Sequence, residues 1–147
     1  MKRFFVLMMV AFLSLGSLHA AEANWFTDFK AAEKKAAAEN KPLVLDFTGS
    51  DWCGWCIRLD KEVFSQWEFV DYAAKNLVLV KLDFPNEKKL PEAEKKQNEA
   101  LAEKYGVLGF PTIVVLDSKG SKIGQLGYQK GGAVPWIASL EKITDKK

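Results

Sequence analysis

Histidine is almost missing from this chain, with one residue, His19, in 147. It falls inside an N-terminal leader pattern, so the rest of the chain has no imidazole. That excludes His-based acid–base chemistry and His metal sites. Cysteine is nearly as scarce: Cys53 and Cys56 are the only two. A pair so close in sequence cannot staple distant loops, so this is not a small disulfide-dense scaffold. Long hydrophobic runs are lacking as well. Phe4 to Leu15 is interrupted at Ser14 and falls short of the ~20 apolar residues that a membrane span needs. Charge of one sign is not in excess either. Of 21 Lys+Arg, Lys2 and Arg3 lie in the leader, and the remaining 19 balance 19 Asp+Glu. Nothing here asks for nucleic acid or an anionic membrane surface as a partner.

What is present begins with the leader. Lys2 and Arg3, the apolar stretch, and then Gly16, Ser17 and Ala20 read as a secretory signal peptide over residues 1–20, with cleavage as late as Ala23. An uncleaved anchor is the competing reading. No cysteine lies near the cleavage region, which excludes a lipidated cysteine there. Residues 24–147 are then one exported domain of ordinary size, not inserted in the membrane once the leader is removed, and read as a monomer.

Along that domain, Asn24 to Glu39 has apolar residues at Trp25, Phe26, Phe29, Ala32 and Ala36, the spacing of an amphipathic helix. Asn40-Lys41-Pro42 ends it. Leu43 to Phe47 is a nearly unbroken apolar run, as in a strand covered on both faces. Thr48 to Asp51 is a turn, and a helix carrying the cysteines runs to about Phe64. Ser65-Gln66-Trp67-Glu68 has a capping-box pattern that predicts a new helix to about Lys75. Leu77 to Asp83 is a second buried strand. Pro91 suits the first position of a charged helix to Tyr105, with Gly106 as its C-cap. Thr112–Leu116 and Ser121–Tyr128 are two further strands, joined by a hairpin turn at Asp117–Gly120. A last helix covers Val134 to Ile143. Strands alternating with helices, then a hairpin and a helix, predict an α/β fold with a central mixed sheet of four to five strands and helices on both faces. Trp25, Trp67 and Trp136 are assigned to packing.

The chemistry gathers at Trp52-Cys53-Gly54-Trp55-Cys56. A strand, a turn and a helix start surround the pair, and unpaired N–H groups at a helix start stabilise a thiolate. The spacing lets one thiol attack a mixed disulfide made by the other. A structural disulfide, an inert pair, or half a zinc site completed by dimerisation are the alternatives.

With these motifs goes a resemblance. The strand Leu43–Phe47 leads into the C-x-x-C, the strand Val78–Asp83 follows, and Tyr105-Gly106-Val107-Leu108-Gly109-Phe110-Pro111-Thr112 resembles a cis-proline loop. Gly127 stands at the place of a family glycine. Over about Lys41 to Ile143 the chain resembles the thioredoxin superfamily, and within it the exported proteins of the disulfide-bond reductase branch. The resemblance implies a thioredoxin fold, with Cys53 as partly exposed nucleophile and Cys56 as the more buried resolving thiol. It implies a cis Pro111 facing the pair, Asp46 as a proton relay with a raised pKa, and Lys81 as that acid's partner. Trp52, Gly54, Trp55, Phe110 and Pro111 become the substrate-facing surface, with shielding of the site as the other reading of Trp52. No cofactor is implied beyond the redox-active disulfide Cys53–Cys56. Thr48 stands where thioredoxin usually has Trp, and the turn before Trp52 is one residue longer.

The activity implied is that of a thiol–disulfide oxidoreductase, a protein-disulfide reductase of the bacterial periplasm, with secretion or a retained anchor as alternatives. Its partners would be disulfide-containing proteins and a membrane electron-donor reductase. Trp55 puts no charge beside Cys53 where a central His would favour the oxidising direction. Two other readings stay open: a disulfide oxidase or isomerase, and a redox-idle thioredoxin-fold binding or chaperone module.

Overall fold

The computed structural model describes residues 22–145; the signal peptide expected over residues 1–20 lies outside them. In chain order the elements are β1 (Trp25–Phe26), α1 (Phe29–Glu39), β2 (Leu43–Thr48), α2 (Gly54–Leu59) continuing into a π-helical turn (Asp60–Phe64), and α3 (Trp67–Asn76). There follow β3 (Val78–Asp83), α4 (Glu92–Tyr105), β4 (Thr112–Leu116), β5 (Lys122–Leu126) and α5 (Ala133–Thr144). The strands form one sheet in the order β1-β3-β2-β4-β5. β2 runs parallel to β3 and antiparallel to β4, and β4 and β5 form the antiparallel hairpin. This is the mixed sheet expected, with five strands.

Both faces are covered, which is why the central strands read as continuous apolar runs. Side chains alternate along β2. Leu43, Leu45 and Phe47 join Phe29, Ala32, Ala36 and Leu101 of α1 and α4. Val44 packs with Leu59, Val63, Phe64, Phe69, Trp136 and Leu140 on the opposite face. The same alternation sends Asp46 and Thr48 to that second face, under the cysteine helix.

Several local expectations change. Trp25 and Phe26 are not the first turn of a helix. They form β1, paired with β3 at Leu79 and Val80, and they cover an edge that would otherwise expose unpaired backbone groups. The helix starts later because Asp28 caps it, its Oδ1 accepting from Ala31 N at 3.1 Å. Gln97 of α4 ties this segment down, accepting from Phe29 N and donating to Thr27 O. Ser65 makes no capping box; Gln66 holds the N-cap position of α3 without a side-chain bond. The chain there is committed to the π-turn instead, with Ser65 N bonded to Asp60 O at 2.8 Å. Pro91 is the N-cap of α4, one residue before its first turn, and Gly106 closes the helix at φ 65°.

Trp136 is fully buried, its Nε1 donating to Gly127 O at 3.0 Å. Trp25 is half-buried, edge-on to Phe64 with centroids 5.1 Å apart. Trp67, assigned to packing from the sequence, is instead 73% exposed at the start of α3. The contrast sets an expectation for urea unfolding. Trp136→Ala lowers stability by about 3–5 kcal/mol, because it opens a cavity and strands a carbonyl. Trp67→Ala changes it by no more than about 0.5 kcal/mol. Equal losses would contradict the packing described.

Candidate active site

β2 ends at Thr48, and the chain turns tightly: Cys53 N donates to Gly49 O at 2.9 Å. Gly49 is required there, since a Cβ on it would meet the Trp52 indole at 2.5 Å. Trp52 lies over the turn. Its Nε1 donates to Phe84 O at 2.7 Å and its ring meets Phe110 edge-on at 5.9 Å. It still leaves 47% of its surface exposed, so it both shields the turn and forms part of the rim.

Cys53 is the N-cap of α2, with Sγ accepting from Cys56 N at 3.3 Å. The two cysteines are joined in a disulfide with their Cα atoms 5.2 Å apart. Cys53 was expected to be partly exposed and Cys56 buried. In this oxidised form both are covered, at 7% and 4%. Gly54 next to them is open: a Cβ there would touch nothing within 4 Å.

Beneath Cys56, a cavity of about 140 Å³ is bounded by Asp46, Thr48, Ser50, Asp60 and Lys81. Asp46 is 3% exposed, and its Oδ1 has no hydrogen-bond partner. Burial pushes its pKa up to about 7; Lys81 opposes this, while Asp60 and Asp83 reinforce it. Lys81 lies opposite Asp46 in the β2–β3 register. Its ammonium, however, pairs with Asp60 Oδ1 at 3.6 Å and sits over the Trp25 ring at 5.2 Å. The acid's expected partner therefore reaches it through space rather than by a direct ion pair. Asp60 was not foreseen. Its position four residues after Cys56, on the same helical face, was the available signal.

Two further carboxylates build the frame. Asp83 accepts from Ser50 N at 2.9 Å and Ser50 Oγ at 2.6 Å. Asp51 accepts from the amides of Asn86, Glu87 and Lys88, which hold its pKa below the usual carboxylate range. Its charge is thereby directed at the loop after β3.

The Phe110–Pro111 bond is cis. Thr112 Oγ1 donates to Gly109 O at 2.7 Å and holds the loop closed. Phe110 packs between Trp52 and Phe84, the latter 5.1 Å away. Gly127 lies just past β5, where a Cβ would meet Pro111 O at an unstrained 3.8 Å. Trp55 stands apart from this group. It is 53% exposed, 5.0 Å from the Tyr128 ring, with the Arg58 guanidinium over it. Among the described residues no cluster of three or more His, Cys, Asp or Glu is placed to hold a metal ion.

The sequence pattern of the thioredoxin-like domain matches residues 29–137. The chain belongs to that family. It is 34% identical over 122 residues to the disulfide bond reductase DsbH of Chlamydia pneumoniae, covering 83% of this chain and 73% of that one. It is 31% identical to the thioredoxin-related protein DsbJ of the same organism, of which it spans 35%. To the thiol:disulfide interchange protein DsbD of Yersinia pestis it is 34% identical over 88 residues, 13% of that protein's length. Among solved structures, a DsbH oxidoreductase superposes with a TM-score of 0.82 at 28% identity, covering 95% of this chain and 96% of that one. The reduced C-terminal domain of Neisseria meningitidis DsbD does so with a TM-score of 0.57 at 30% identity, covering 77% and 91%. The fold is thus the thioredoxin fold, and the enzyme class is thioredoxin-like thiol–disulfide oxidoreductase. Among the described residues no helix is long and apolar enough to cross a membrane.

The raised pKa of Asp46 has a definite consequence for stability. An unfolded Asp titrates near its ordinary 3.8, while in the fold it holds its proton to about 7. Between those values the native state binds more protons than the unfolded state, so this group's contribution falls as pH rises. Asp46→Asn is therefore expected to be more stable than the parent at pH 8 by up to a few kcal/mol, and to match it near pH 3. Urea unfolding of the oxidised protein across that range is the measurement. An unchanged difference at all pH values would refute the assignment.

Proposed function

We propose that this chain is an exported thiol–disulfide oxidoreductase that works as a protein-disulfide reductase. The observation that carries the reading is the placement of the chain's one cysteine pair, at the start of α2 and directly over the cavity that holds buried Asp46. In the reduced protein, the Cys53 thiolate attacks one sulfur of a substrate disulfide. A Cys53–substrate disulfide forms, and the other substrate sulfur leaves as a thiolate. Cys56 then gives up its proton to the Asp46 carboxylate through the cavity and attacks the Cys53 sulfur. The second substrate thiolate is released, and Cys53–Cys56 closes. Two electrons pass to the substrate, and its thiolates take their protons from solvent. A group with a pKa of about 7 can both accept and return a proton near neutrality. Lys81 and Asp60, paired in the wall of the cavity, are both partly exposed to solvent.

Open Gly54, the rims at Trp52 and Trp55, and the loop at Phe110 and cis Pro111 supply the substrate surface. The backbone of half-buried Phe110 and Pro111 is the segment along which an extended substrate would align. The partners on this reading are disulfide-containing proteins and a membrane electron donor that returns the pair to the dithiol. Export rests on the leader pattern of residues 1–20, and the bacterial periplasm is the compartment that fits it. The reducing direction draws support from the similarity to a protein named disulfide bond reductase and from the uncharged Gly54-Trp55 pair. An oxidase or isomerase uses the same two cysteines, and a redox-idle binding module would leave them inert.

Reduced protein freed of its leader should reduce the interchain disulfides of insulin, followed by turbidity, and Cys53→Ala should not. Activity that survives this substitution would sink the mechanism. Asp46→Asn is expected to slow the release step by about tenfold or more and to remove an inflection near pH 7 from its rate profile. Rapid mixing with a preformed mixed disulfide measures that step, and a profile that keeps its inflection would remove Asp46 from the relay.

A further inference from the structure

On the exposed side of α2 a group of four side chains is organised beyond what folding requires. Trp55 packs on Tyr128 with ring centroids 5.0 Å apart. The Arg58 guanidinium lies 5.7 Å from the Trp55 ring centroid and 5.5 Å from that of Tyr128. Glu62 holds both partners, accepting from Arg58 Nε at 2.6 Å and from the Tyr128 hydroxyl at 2.6 Å. Three chain segments meet here: the cysteine helix, the π-turn after it, and the segment that follows β5. The π-turn matters, since it carries Glu62 at the point where the helix changes its winding, a feature frequent at functional sites.

Tyr128 is half-buried and packs against the core, but the other members of the group lie outside it. Trp55 is 53% exposed, and the Arg58 side chain is 52% exposed. An exposed Arg–Glu pair contributes little to stability, so the arrangement is poorly explained as a staple. It does fix the direction of Trp55, which lies between the two cysteines in the chain, after Gly54 and before Cys56. Arg58 and Glu62 carry opposite charges, and the Trp55 and Tyr128 rings, tilted 43° to each other, form with the guanidinium one aromatic plate. Such a plate suits the uncharged and aromatic residues flanking a cysteine in a flexible polypeptide. A small disulfide offers little beyond its sulfurs for such a surface to hold.

We infer that Glu62 and Tyr128 are positioning residues that hold Trp55 and Arg58 as a preformed docking plate beside Cys53, and that this plate selects disulfides carried on flexible polypeptide over small-molecule disulfides. Ordering these side chains before the substrate arrives removes that cost from the binding step. The inference rests on Cys53 being the attacking thiol, but not on the direction of electron flow.

The test uses a Cys56→Ala background, in which Cys53 makes a mixed disulfide but cannot resolve it. The Cys53 thiolate attacks a disulfide, one Cys53–sulfur bond forms, the probe's S–S bond breaks, and one probe thiolate leaves. This single step runs in either physiological direction. Second-order rates are measured with insulin and with bis(2-hydroxyethyl) disulfide, a small uncharged probe. Glu62→Gln and Tyr128→Phe are each expected to lower the ratio of the insulin rate to the small-probe rate by about fivefold. Adding either change to a Trp55→Ala/Arg58→Ala background should lower that ratio no further, because both act through those two side chains. Tyr128→Phe keeps the ring and loses one hydroxyl, so it guards against a folding defect in the Glu62 variant. A ratio unchanged in both variants overturns the inference and leaves the mechanism standing. So does a fall that persists in full without both Trp55 and Arg58. A Cys53 inert toward both probes overturns the mechanism and the plate together.

Discussion

β2 is hydrogen-bonded along both edges, parallel to β3 on one side and antiparallel to β4 on the other, and packed on both faces. Each feature of the site follows from where this strand sits and where it stops. Because it is central, its side chains are buried, so a carboxylate placed on it must be a buried carboxylate. Because side chains alternate, Asp46 falls on the face of Val44 rather than that of Leu45 and Phe47, which is the face the cysteine helix covers. Because the strand ends at Thr48, the Gly49 turn delivers Cys53 to the helix start directly above.

The polar framework around the dithiol resolves a problem that this geometry creates. The turn after β2 and the loop after β3 both carry backbone groups outside the sheet, and side-chain carboxylates satisfy them: Asp83 takes Ser50, and Asp51 takes three successive amides of the neighbouring loop. With these acids engaged and Asp60 paired to Lys81, Asp46 faces the cavity below Cys56 with one oxygen unpartnered. Desolvation dominates its titration for that reason, and the Lys81 charge, drawn toward Asp60, reduces the shift without cancelling it.

Much of this was legible in advance, and the exceptions have physical causes. The apolar runs at β2, β3 and β4, the hairpin at Asp117–Gly120 and the Gly106 cap are local signals, and local chemistry decided them. Trp25 and Phe26 fit helical spacing equally well; the open edge of β3 settled them as strand, and no local pattern encodes that. Ser65-Gln66-Trp67-Glu68 has the letters of a capping box, yet the π-turn takes up the Ser65 amide first. Trp67 is as apolar as Trp136, but its position before the buried stripe of α3 turns it outward. The membership of Glu62 and Tyr128 in the site was invisible for a simpler reason. They are 66 positions apart and carry no pattern that links them.

The amino-acid sequence alone determined the pair of sulfurs and their spacing, the strand–turn–helix context that presents them, the proline loop that accompanies them, and the histidine-free character of the chemistry. These depend on residues adjacent in the chain, where covalent geometry and helix or strand periodicity leave few choices. Tertiary structure alone decided which carboxylates are free and which are engaged, that Lys81 pairs with Asp60 while only biasing Asp46, that both cysteines are covered in the oxidised form, and that Trp55 is held by a group drawn from three segments. Those outcomes depend on burial and on charges meeting across the sheet and between loops, and both are set only when distant parts of the chain pack together.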